Sequence, residues 1–267
     1  MSGASQARTK ECRRHMDDHA ARLNWFRYAS PKTFDALAPR LIRGFALAAL
    51  VLAPCGLYIG LVAAPADAVQ GEVYRIMFIH VPAAWMSMLV YVVMAGYAAL
   101  GLIFNARLPA MMALALAPTG ALFTFIALFT GSLWGRPTWG AWWVWDARLT
   151  SELILLFLYL GFIALHAAID DVQRADRACA VLVLAGVVNI PVIYFSVQWW
   201  YTLHQGASFS FGSGVSMAPS MAYGIVVMTL ALWCYAIAIV LARVRVIIRT
   251  RAAAVPAPPQ HSGGLAR

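Results

Sequence analysis

Two histidines and one cluster of tryptophans carry the chemistry open to this sequence. His80 stands in FIHVPAAW and His204 in WWYTLHQGAS, and between them the run WGRPTWGAWWVWD holds Trp134, Trp139, Trp142, Trp143 and Trp145, five of the ten tryptophans, and ends on Asp146. Neutral imidazole is a ligand for iron, copper or zinc. Indole rings either anchor helix ends in the headgroup region or wall a flat aromatic ligand. Interfacial anchoring scatters its aromatics over many helix ends, whereas these rings sit in one run interrupted by Gly135, Pro137 and Gly140. A ligand platform is the better account of that density.

Neither a cysteine nor a third histidine accompanies the pair, which leaves a closed tetrahedral zinc site poorly supported. Two imidazoles with aromatic walls describe instead a bis-His haem, whose macrocycle supplies four iron ligands and leaves two to the protein. Without a Cys-x-x-Cys-His sequence the haem is b-type and non-covalent. Its two propionates call for cations, and Arg75, Arg136 and Arg148 are the basic residues expected on the histidine side. Arg148 has an equal alternative, pairing with Asp146 or with Glu152 at i+4. Asp146 reads as the N-cap of the following helix rather than as an iron ligand. Glu152 lies just inside an apolar stretch and is a functional candidate on that ground, or the partner of Arg148. On a helix Ala84 and Ser87 follow His80 at i+4 and i+7, small residues that leave room for something broad.

The elements that must position these residues are membrane helices. Of 267 residues 62% are hydrophobic and 12% charged, with a mean hydropathy of +0.73, too apolar for an ordinary soluble domain. Apolar stretches near residues 45–64, 76–104, 110–133, 149–166, 178–195 and 219–241 are long enough to cross a hydrocarbon core of about 30 Å. The expected fold is all-α, a polytopic bundle of six transmembrane helices. Seventeen of the twenty Lys and Arg fall on the side of the termini and three on the other, which sets both termini in the cytoplasm and both histidines outside it. The +9 net charge is then a topological signal with an affinity for anionic membrane lipid, and no nucleic acid is expected as a partner.

Three parts are expected along the chain. Residues 1–40 form a basic cytoplasmic segment without the apolar core of a secretory signal, residues 41–243 form the six-span domain with an outer tryptophan loop at 134–148, and residues 244–267 form a basic, disordered tail rich in Pro and Gly. His15, His19, His166 and His261 read as solvated or interfacial, and Cys12, Cys55, Cys179 and Cys234 as packing residues. Pro54, Pro118 and Pro191 predict kinks, with Asn189 placed to satisfy backbone freed near Pro191.

The segment WGRPTWGAWWVWDARLTSELILLFLY resembles the tryptophan-rich "WWD" signature of the haem-handling membrane proteins of cytochrome c biogenesis, and the sequences around His80 and His204 resemble the two histidine motifs that flank it. Six spans with one outer histidine pair are similar to the cytochrome c maturation protein C branch, over roughly residues 40–243. The resemblance implies a bacterial inner-membrane protein, not an enzyme, that presents haem at the periplasmic face and delivers it to a haem chaperone. It implies His80 and His204 as axial ligands, and Trp134, Trp139, Trp142, Trp143, Trp145 and Asp146 as the signature loop. The partners it implies are the periplasmic chaperone (CcmE-like), an ATP-binding subunit, a second membrane subunit and a small single-span subunit (CcmA-, CcmB- and CcmD-like). The chain carries no Gly-x-x-x-x-Gly-Lys-[Ser/Thr] loop, so nucleotide hydrolysis falls to a partner. Two rival readings stay in view, a membrane electron-transfer haem protein and a haem-free docking subunit of a transporter.

Overall fold

The computed structural model describes residues 31–204, 209–210, 214–215 and 217–254. The histidines His15, His19 and His261, Cys12, most of the basic head and the Pro-rich tail lie outside the described residues. Helices dominate: α1 (Pro31–Tyr58), extended by a π-helical turn (Ile59–Ala63); a 3₁₀ turn (Val73–Ile76) leading into α2 (Met77–Ile103); α3 (Arg107–Trp139); α4 (Ala147–Ala168); α5 (Val172–Gly186) and α6 (Asn189–Trp199); and α7 (Pro219–Ala253). A short ribbon, β1 (Phe209–Ser210) antiparallel to β2 (Gly214–Val215), lies between α6 and α7. Six helical segments are long and apolar enough to cross a membrane, α5 and α6 together forming the fifth. The protein is a multi-pass, all-helical membrane bundle.

The spans outrun the hydrophobic stretches that announce them. α3 has 33 residues, a length of about 50 Å against a hydrocarbon core of about 30 Å, so its last turns stand clear of the apolar layer. Residues 134–139, expected in a loop, are therefore helical, and the connection to α4 shrinks to residues 140–146. Pro137 does not stop α3, although it leaves the Leu133 carbonyl without its i+4 donor. Gly140 does: it takes φ +80°, its N–H bonds to the Arg136 carbonyl at 3.1 Å, and the Arg136 guanidinium bonds back to its own carbonyl oxygen. That left-handed closure suits glycine alone. Both cytoplasmic assignments also give up residues to helix, since α1 starts at Pro31 and α7 runs to Ala253.

The fifth span breaks where its proline requires it. Pro191 has no N–H to offer the Val187 carbonyl four residues back; Ile190 N donates to that oxygen instead, at 3.1 Å, and the chain turns at residues 187–188 before α6 resumes. The Asn189 side chain does not mend this gap as expected. It reaches across to the Ser151 carbonyl of α4 at 2.8 Å. Pro54 and Pro118 lie inside continuous helices.

α2 packs against α3 through small residues, among them Ala95, Ala98, Ala113, Ala117 and Ala121, all buried. Without water to squeeze out, close backbone approach supplies the van der Waals contact that holds membrane helices. Larger rings fill the centre: Tyr91 meets Tyr159 edge-on at 5.1 Å, and Phe123 is buried beside them. A second apolar cluster, Tyr74, Met77, Phe78, Met221 and Ile225, sits under the histidine end with Trp85 and Trp134 against it. At the opposite end, α1 and α7 are joined by Arg245 on Asp35 at 2.7 Å, and α4, α5 and α7 by Arg251 and His166 on Asp176. His166, in the last turn of α4, is thus a hydrogen-bond partner of Asp176.

Candidate functional site

His80 stands one turn into α2 and faces α3. Its Nδ1 lies 2.9 Å from the Ala127 carbonyl and 3.1 Å from Thr130 Oγ1. A carbonyl can only accept, and the Thr130 hydroxyl spends its proton on the Ile126 carbonyl at 2.6 Å. Nδ1 therefore carries the hydrogen, and the lone pair belongs to Nε2. The ring fits because position 131 is glycine: a Cβ there would stand 2.9 Å from His80 Cε1. Ser87 offers no open face below it, being fully buried with its hydroxyl 2.7 Å from Glu152 Oε1. The broad space expected around Ala84 and Ser87 is closed at Ser87.

His204 follows α6 in irregular chain, and a carboxylate fixes it. Asp146 Oδ2 lies 3.2 Å from His204 Nδ1 and also accepts from the Thr202 hydroxyl, whose oxygen in turn receives the His204 N–H at 3.2 Å. The other oxygen, Oδ1, accepts from Leu149 N at 2.7 Å and caps α4, as the sequence predicts. Burial opposes the charge on Asp146, yet the hydrogen bonds from His204, Thr202 and Leu149 outweigh it and hold the carboxyl down at about 2. In the tautomer the carboxylate selects, Nδ1 carries the hydrogen and Nε2 the lone pair. Among the described residues Nε2 of neither histidine has a hydrogen-bond partner.

The last turns of α3 bring the two rings to one end of the bundle. Trp134 lies edge-on to His80 at 5.7 Å and Trp139 edge-on to His204 at 4.9 Å. Trp134 is held by its Nε1, 2.7 Å from Gln70 Oε1 in the α1–α2 connection. Beyond Gly140, Trp142 and Trp145 are exposed, Trp143 meets Trp145 edge-on at 5.4 Å, and Ser132 Oγ ties the Trp142 carbonyl at 2.7 Å. The Trp143 indole N–H is buried with no acceptor among the described residues. An unsatisfied donor in a tryptophan wall is a place for a ligand's acceptor.

The three arginines separate. Arg75 pairs with Glu72 and donates to the Gly60 carbonyl at 2.7 Å, and Arg136 closes the end of α3. Both are spent on structure. Arg148 makes no hydrogen bond or ion pair among the described residues; the expected partners Glu152 and Asp146 act on its charge only at longer range. Glu152 turns instead to Ser87. Thr130, Thr202 and Gln70 are site residues the sequence reading passed over. A hydroxyl in an apolar span and a Thr two residues before a candidate His were signals for the first two; nothing marked Gln70.

Among the described residues no three His, Cys, Asp or Glu side chains gather as a metal-ion cage. Residues 24–257 match the family model for heme exporter protein C. The chain is similar to heme exporter protein C of Escherichia coli, 53% identical over 180 residues that cover 65% of this chain and 74% of the relative. The corresponding figures are 52% over 204 residues for the Bradyrhizobium diazoefficiens protein, covering 76% and 77%, and 50% over 181 residues for the Haemophilus influenzae protein, covering 68% and 74%. With a family model spanning most of its length and relatives at half identity, this chain belongs to the heme exporter protein C family.

Proposed function

We propose that this protein binds haem, as cargo and not as a resident cofactor, between His80 and His204, and passes it on for c-type cytochrome biogenesis. The observation that carries this reading is the matched state of the two imidazoles. Each gives its Nδ1 hydrogen to a protein acceptor, which leaves Nε2 as a lone-pair donor at the tryptophan-rich end of the bundle. Metal-bound histidines are typically prepared in this way by an acceptor behind the ring.

The chain's other groups fall into roles around that pair. Trp142, Trp143 and Trp145 supply aromatic surface for a macrocycle, and the Trp143 N–H suits a carboxylate oxygen. Arg148, unlike Arg75 and Arg136, makes no hydrogen bond or ion pair among the described residues, although Glu152 and Asp146 act on its charge at longer range, and this makes it the first choice for a propionate. The positive-inside imbalance supports a periplasmic setting for this end in an inner-membrane protein. Delivery to a periplasmic haem chaperone, with nucleotide hydrolysis supplied by an ATP-binding subunit alongside a second membrane subunit and a small single-span one, completes the reading. The protein is a binding and transfer component, not an enzyme.

The test is the visible spectrum and haem content of detergent-purified protein, wild type against His80→Ala, His204→Ala and the double variant. A six-coordinate bis-imidazole spectrum weakened by each single change and lost in the double variant is the expected result. A spectrum indifferent to both histidines would overturn the ligation. Wild type without haem even when co-expressed with its partners would favour the docking-subunit reading.

A further inference from the structure

At the bundle end away from the histidines, α2, α3 and α5 leave a cavity of about 260 Å³. Its polar rim is made by Asn105, Arg107, Gln173 and Arg177, and its inner wall by small aliphatic positions such as Ala98, Gly101, Ala110 and Ala180. One acid lines it, Asp176, and that carboxylate is already engaged: Arg251 takes both its oxygens at 2.9 Å and His166 stands 3.1 Å from Oδ1. Arg107 and Arg177 have no hydrogen bond or ion pair among the described residues. Elsewhere at this end Arg243 reaches Thr119 and the Ala115 carbonyl, and Arg245 and Arg249 reach Asp35, while the exposed Arg40 and Arg174 make no side-chain bond among the described residues and do not line the cavity. The cavity thus combines two exposed guanidinium groups with a shallow apolar interior, at the α2–α3 connection and the start of α5.

We infer that this cavity binds the phosphate of an anionic phospholipid, with its glycerol and first methylenes against the alanine wall. Guanidinium recognises phosphate through parallel N–H bonds, and basic pockets between spans select anionic headgroups. An apolar ligand would leave the arginines unserved, and a free anion would leave the wall uncovered. The site is independent of what the histidine end carries.

The experiment is binding of short-chain phosphatidylglycerol to the full-length, delipidated protein in detergent, against phosphatidylcholine of the same chain length and against inorganic phosphate. Wild type should prefer phosphatidylglycerol by about tenfold, two cationic contacts acting together. R107Q/R177Q should bring that preference close to one. R174Q, which removes an exposed arginine of the same helix that does not line the cavity, should keep it. Ala110→Leu narrows the wall while keeping both charges, and should weaken phosphatidylglycerol several-fold; it decides the matter if the double variant does not fold. Unchanged preference in R107Q/R177Q, or unchanged phosphatidylglycerol affinity in Ala110→Leu, overturns the proposal. Inorganic phosphate displacing the lipid at equal concentration would make this a free-anion site and overturn it as well.

Discussion

His80 and His204 are prepared for the same chemistry by different means. His80 sits inside a helix and leans on the main chain of its neighbour, the Ala127 carbonyl, in a notch cleared by Gly131. His204 lies in irregular chain and leans on one carboxylate, which also caps α4 and holds Thr202. A backbone acceptor in a packed helix pair can move only with the helix. A side-chain acceptor can move alone. On the haem reading the bundle therefore offers one fixed ligand and one conditional ligand, and cargo leaves from the His204 side.

The largest expected effect tests the conditional side. Asp146→Ala removes an N-cap, worth about 1 kcal/mol, and the acceptor behind a ligand histidine, a loss of about 10–100-fold in metal-site affinity. Haem titration of the purified variant should show that drop with His80 still coordinating. Unaltered haem affinity in Asp146→Ala would remove the asymmetry at its root. The fixed side is tested by Gly131→Val, which drives a side chain into His80. Overpacking of this kind costs about 1–3 kcal/mol, and displacement of the ring should lower haem affinity about tenfold, toward the weaker end of such second-layer effects. Gly131→Ala should fall between wild type and Gly131→Val, read by the same titration together with thermal unfolding.

The same contrast explains how much could be read from the residues. Hydropathy located six spans and the histidine motifs located both ligand candidates, because apolar length and motif spacing are local properties of the chain. Asp146 was legible as a cap for the same reason, since its partner Leu149 is three residues away. Its second bond, to His204, spans 58 residues and depends on how α6 leaves the bundle. The hydrogen bond from Trp134 to Gln70 and the approach of His80 to Ala127 are of that kind too. The tryptophan run misled in one respect: Gly135 and Pro137 look like loop residues, yet α3 carries them, and closure waits for Gly140. The arginines misled in another. Spacing placed three on the histidine side but could not tell that Arg75 and Arg136 close local structure while Arg148 does not.

Acid sharpens the comparison further. With its carboxyl held at about 2 against an ordinary 3.8, Asp146 stabilises the fold fully above the unfolded value, and that contribution is lost as pH falls through about 2. Asp146→Asn should therefore unfold a few degrees below wild type, as loss of about 1 kcal/mol implies for a protein of this size. That gap should narrow as pH falls below about 4, where the unfolded carboxyl takes up its proton. A gap unchanged down to about pH 3 would mean that the Asp146 carboxylate is not what holds the His204 side.

Thr130→Val carries the smallest expected effect and bears most directly on why His80 is fixed. The Thr130 hydroxyl gives its hydrogen to Ile126 and offers His80 only a second acceptor, 3.1 Å away, beside the Ala127 carbonyl at 2.9 Å. Valine keeps the shape and removes a neutral hydrogen bond, worth about 1 kcal/mol or less. Because the carbonyl remains, the tautomer remains, and haem affinity should fall less than about fivefold, the ratio that such an energy allows. Thr202→Val should do more, since that hydroxyl both donates to Asp146 and receives the His204 N–H. If the order were reversed, His80 would depend on a side chain as His204 does. The helix backbone would then not be what makes one ligand permanent and the other releasable.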